Sequence, residues 1–137
     1  MKRGKNNMSD ELSRLPPSVQ ERLLRLQQVQ QTLQATLAQK QQVELELTET
    51  SNALEELQKI PDDTPIYKSI GSLLIKTDKT KITTELTERK ELLNTRTTVL
   101  TKQEERLRTQ MKDLQTKLQQ DLNPITPPGP SEMSPPP

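Results

Sequence analysis

No cysteine and no histidine occur among the 137 residues, and Tyr67 is the single aromatic. The missing thiol and imidazole exclude disulfides, thiolate nucleophiles, imidazole bases and nearly every zinc, haem or iron–sulfur arrangement. Neither enzyme chemistry nor a cofactor is therefore expected. One aromatic offers no stacking platform for single-stranded nucleic acid, and a net charge of +1 gives no strong field for a phosphate backbone. No apolar run approaches the ~20 residues that span a bilayer, and the opening Met1-Lys-Arg-Gly-Lys-Asn-Asn lacks the apolar stretch of a signal peptide. These absences predict a soluble cytoplasmic chain that binds neither nucleic acid nor membrane. Apolar residues are themselves scarce, 28% where a globular domain has roughly 45 to 50%. Such a chain cannot close an ordinary core alone and must be elongated, oligomeric or disordered.

Proline punctuates what is present. Pro16-Pro17, Pro61, Pro65 and Pro124 leave residues 18–60 and 66–123 as the two long proline-free spans. Because proline lacks a donor and clashes with the preceding turn, long helices are confined to those spans. The first coiled-coil helix is expected over 15–60, with proline in its first turn and Ser18 or a neighbour as cap. Its seam reads Val19, Leu23, Leu26, Leu33, Leu37, Leu47 and Leu54, interrupted by Gln30, Lys40, Glu44 and Ser51, which are read as fixing register. The second helix, 80–122, is capped by Asp78 or Thr80. Its Leu86, Leu93, Leu100, Leu107 and Leu114 recur every seventh residue, joined by Ile82, Met111 and Leu118 near the ends. At ~1.5 Å per residue each helix is roughly 63 to 65 Å long, and equal lengths suggest an antiparallel pair. The first helix carries four basic and six acidic residues and the second nine and seven, a weak complementarity.

Between them, 61–79 has β character. A type II′ turn at Gly71-Ser72 pairs Ile66 with Thr77, Lys68 with Ile75 and Ile70 with Leu73. Ile66, Ile70, Leu73 and Ile75 then share one face, while Tyr67, Ser69, Leu74 and Lys76 share the other. A lone hairpin is marginal in water and has two open edges, so it is expected to join other chains as the oligomerisation element. Residues 1–14 read as a polar, basic, disordered extension. Residues 123–137 read as a disordered proline-rich tail, either solubilising or acting as a polyproline ligand or client-modulating arm.

The wording Ala53-Leu-Glu-Glu-Leu57, Ile66-Tyr-Lys-Ser-Ile-Gly-Ser-Leu-Leu-Ile75 and Lys102-Gln-Glu-Glu-Arg-Leu107 resembles the β-type subunit of archaeal prefoldin over about 15–122. The resemblance implies a mainly α fold: an antiparallel two-helix coiled coil joined by one β-hairpin that assembles into an intersubunit β-barrel platform. It also implies a hetero-hexamer of two α-type and four β-type subunits. Its activity would be that of an ATP-independent holdase, which captures non-native proteins at distal coiled-coil tips and passes them to a group II chaperonin. The proline-rich tail is an addition to that pattern.

On this reading Ile66, Tyr67, Ile70, Gly71, Leu73, Leu74 and Ile75 hold the oligomer. The client surface is formed by Leu15, Val19, Leu23, Leu24 and Leu26 with Leu107, Met111, Leu114, Leu118 and Leu122. Leu24, off the seam, is the best single candidate there. Contacts with the chaperonin are expected from Arg14, Arg22, Arg25, Arg106, Arg108, Lys112 and Lys117. Asp62-Asp63 and Glu104-Glu105 are read as solvated charge, not as metal ligands. The rival reading is a tethering coiled-coil protein without chaperone activity, in which the hairpin only oligomerises the chain.

Overall fold

A computed structural model describes residues 13–122. The order of elements is α1 (Pro17–Lys59), β1 (Ile66–Ile70), β2 (Leu73–Thr77) and α2 (Lys79–Leu122). The expected proline-rich tail 123–137, and all but the last two residues of the expected extension 1–14, lie outside the described residues.

Each boundary has a local cause. The Pro16 carbonyl accepts from Gln20 N at 3.0 Å and Val19 N at 2.9 Å, which makes Pro16 the N-cap and Pro17 the first helical residue. Ser18 thus lies inside the first turn and does not cap the helix. The side-chain amide of Gln20 folds back to the Leu15 carbonyl at 2.8 Å. Pro61 disfavours helical backbone at Ile60 and ends α1. Lys79 Nζ then donates to the Ile60 carbonyl at 2.9 Å and to Asp62 Oδ1 at 3.1 Å, placing a cation at the negative end of the helix. Asp78 caps α2: its Oδ1 accepts from Lys81 N at 2.8 Å and its carbonyl from Ile82 N at 3.0 Å.

The hairpin has the expected register, Ile66 opposite Thr77, Tyr67 opposite Lys76, Lys68 opposite Ile75, Ser69 opposite Leu74 and Ile70 opposite Leu73. Gly71 has φ +60°, and among the described residues no non-glycine has positive φ. Ser72 therefore excludes a type I′ turn, which needs positive φ at both central residues, and leaves type II′.

Two compact units are present. One, the hairpin unit, is Ala35–Glu104; the other, the terminal unit, has 13–34 and 105–122 as its described parts. In each the helices pair antiparallel, as Lys40 with Glu104 shows in the first and Arg22 with Asp121 in the second. The core of the hairpin unit is Val43, Leu93 and Leu100 with Leu47 packed against them.

The seam of α1 differs from the leucine-based expectation. Its covered positions are Val19, Arg22, Leu26, Val29, Leu33, Thr36, Lys40, Val43, Leu47, Thr50, Leu54 and Leu57, an unbroken alternation of three and four. Gln30 and Glu44 are exposed and do not interrupt it. Leu23 and Leu37 flank it, half-buried. Thr50 sits on the seam with its hydroxyl satisfied within its own helix, Oγ1 donating to the Glu46 carbonyl at 2.8 Å.

Candidate functional site

The hairpin presents apolar side chains that its own chain does not cover. Tyr67 and Leu74 on one face are 58% and 72% exposed; Ile70, Leu73 and Ile75 on the other are 49%, 62% and 43% exposed. Ile66, at the base, is half-buried. Lys68, on the Ile66 face, reaches Glu85 of α2 with 2.9 and 3.1 Å contacts to the two carboxylate oxygens. That ion pair ties the base of the ladder to α2 and leaves the turn end open. Both faces carry exposed apolar side chains, Ile70 and Leu73 on one and Leu74 on the other beside the turn.

The terminal unit is built differently. Val19 and Leu118 are buried at 4% and 5% exposure, and Leu15, Leu23, Leu26, Leu107, Met111 and Leu114 are half-buried. Leu24 and Leu122 stand out at 61% and 51%. Leu23 and Leu24, with Gln20 and Gln27, line a shallow depression on one face of α1. Of the basic residues, Arg22 is held by Asp121 and Lys117 by Asp113 at 3.4 Å.

Glu104 departs from the reading of Glu104-Glu105 as solvated charge. It accepts from Lys40 Nζ at 2.9 Å, with side-chain exposures of 16% for Glu104 and 22% for Lys40. A heptad position turned inward by the helical period covers Glu104, while Glu105 points out. Asp62 is exposed and pairs with Lys79, and Asp63 is exposed. Among the described residues no group of His, Cys, Asp or Glu could hold a metal ion, and no helix is long and apolar enough to cross a membrane.

Two long antiparallel helices flanking one apolar hairpin agree with what known proteins show. The family described as "Prefoldin subunit" matches residues 20–124. The prefoldin subunit beta of Archaeoglobus fulgidus is 48% identical over 113 residues, covering 82% of this chain and 97% of that one. That of Methanothrix thermoacetophila is 46% identical over 115 residues, 84% and 96% of the two chains. This chain belongs to the prefoldin β-type subunits. The crystal structure of the prefoldin beta subunit from Thermococcus strain KS-1 superposes with a TM-score of 0.70 at 40% identity, covering 89% of this chain and 97% of that one. Prefoldin subunits are chaperones without enzyme activity, and they work with other prefoldin subunits and with chaperonins. The chain is thus a chaperone subunit of the archaeal type. Val29, Thr36, Val43, Thr50 and Leu57 complete the α1 seam; the first four escape a count of leucines, and strict spacing of three and four finds all five.

Proposed function

We propose that the chain is a β-type subunit of a hetero-hexamer of two α-type and four β-type subunits, in which hairpins join into a β-barrel platform. In this assembly it acts as an ATP-independent holdase that passes non-native proteins to a group II chaperonin. The observation that carries the assembly is the hairpin: five apolar side chains at 43 to 72% exposure on a two-stranded ladder with open edges. Strand pairing with other subunits covers both at once.

Clients are captured by the terminal unit. Leu24 and Leu122 offer contact without rearrangement, and Leu15, Leu23, Leu26, Leu107, Met111 and Leu114 add surface when the helix ends separate. Val19 and Leu118 are the last to become available, since they close the seam. Each apolar contact contributes about 1–2 kcal/mol, and contacts from several subunits combine through effective concentration, so an unfolded chain is held and a folded one ignored. Transfer follows when the chaperonin competes for the same unit, helped by basic residues among Arg14, Arg22, Arg25, Arg106, Arg108, Lys112 and Lys117. Because Arg22 and Lys117 already carry carboxylate partners, charge reversal at Arg25 weakens chaperonin binding more than reversal at either.

The test is to purify the chain alone and with an archaeal α-type subunit, then to measure mass and suppression of aggregation of a chemically unfolded protein without ATP. A hexamer near two α to four β that suppresses aggregation supports the reading. A homodimer indifferent to both the α subunit and the unfolded protein contradicts it and favours a tethering coiled coil.

A further inference from the structure

We infer that residues 123–137 fold back onto the Leu23–Leu24 depression of the same chain and compete there with clients. The inference rests on the reading of the terminal unit as the client surface. The family match ends at 124, so this segment is an addition to the shared architecture. The end of α2 is level with the depression along the helix axis, because Asp121 contacts Arg22, one residue before Leu23. Leu23 and Leu24 lie on the flank and the back of α1, away from α2, so an occupant must pass about half-way round a helix of ~10–12 Å diameter, a path of ~16–19 Å. Fifteen residues follow Leu122 in the sequence, and an extended chain covers ~3.3 Å per residue, a reach of ~50 Å.

The chemistry also fits. The segment offers two large apolar side chains, Ile125 and Met133, and a single charge, Glu132. The described part of the terminal unit carries seven basic and four acidic residues, so an acidic segment is drawn to it. Gln27 flanks the two leucines with a side-chain donor for the carbonyls of an extended proline-rich backbone, while the amide of Gln20 is held by the Leu15 and Ser13 carbonyls. A tether this short keeps the segment at millimolar effective concentration, enough for a weak contact to occupy the site part of the time. Partial occupancy weakens client capture by the fraction of subunits left open.

The chain has no cysteine and four methionines, which allows a direct test on the full-length protein in its assembled complex. A nitroxide at Gln27→Cys is expected to broaden the Met133 methyl resonance more strongly than one at the exposed Thr116→Cys on α2. Leu24→Ser should abolish the broadening. Truncation after Asn123 should tighten capture of an unfolded protein about two- to fivefold. Equal broadening from both labels overturns the inference, as does tighter capture on deleting 1–12 but not 124–137, which makes the N-terminal segment the occupant. If Met133 is broadened while Leu24→Ser leaves capture unchanged in the truncated chain, the segment docks and the client reading is what fails.

Discussion

The hairpin unit and the terminal unit use the same alternation of three and four residues, and each closes it fully at only some positions. In the hairpin unit Val43, Leu93 and Leu100 are 1 to 7% exposed and form one cluster. In the terminal unit Val19, Val29, Leu33 and Leu118 are closed to a similar degree, and both units keep half-buried seam leucines, Leu26 and Leu114 in one and Leu47 and Leu54 in the other. What differs is the display, since the hairpin unit carries its exposed apolar side chains on a hydrogen-bonded ladder. Its open surface has fixed geometry and suits one kind of partner, another strand. The terminal unit displays flexible leucine and methionine on helices that cover each other only in part, a surface suited to many unrelated sequences.

Substitutions should separate the two units. The largest effect is expected at Leu93, 2% exposed: Leu93→Ala should cost about 2–5 kcal/mol in urea unfolding, whereas Leu24→Ser should stay within about 0.5 kcal/mol. Next is the half-buried Lys40–Glu104 pair. Lys40→Ala, which removes the cross-helix partner of Glu104, should cost about 1–3 kcal/mol, while replacing both by leucine should restore or exceed the original stability in a double-mutant cycle. Register specified by that pair should then loosen, visible as heterogeneous cross-linking between cysteines placed on the two helices. At the turn, Gly71→Ala meets no atom within 4 Å, so its cost is conformational only, about 1–2 kcal/mol, read as faster amide exchange across β1 and β2. Smallest is Arg22→Ala in the terminal unit, about 0.2–1 kcal/mol by thermal unfolding and less at high salt, because Arg22 and Asp121 are both partly solvated.

Much of this was legible in the residues. Prolines bounded α1, Asp78 marked the start of α2, and the Gly71-Ser72 turn set the hairpin register, because a two-residue turn admits only one pairing. The α1 seam was half legible. Valine and threonine occupy every second seam position from Val29 to Thr50, and counting leucines passed over them. Coverage is set by helical period and not by side-chain polarity, which is why Thr36 and Thr50 are buried at 5% and 6% while Leu45 is 53% exposed. Net charge was a poor guide. An acidic α1 and basic α2 describe Glu46–Arg89, but Arg22–Asp121 and Lys40–Glu104 run the opposite way. Pairing depends on which charges the period turns inward, not on the sum. Exposure within the terminal unit was not legible either, since heptads assign Val19 and Leu26 the same role although one is buried and the other half-exposed.

The central claim is that the hairpin unit holds partners and the terminal unit holds clients. A photo-cross-linker placed at Leu74 or at Leu24 of the assembled complex, in the presence of a chemically unfolded protein, tests it most directly. Cross-links to neighbouring subunits are expected from position 74 and to the unfolded protein from position 24. Client cross-links from position 74 with none from position 24 would contradict it.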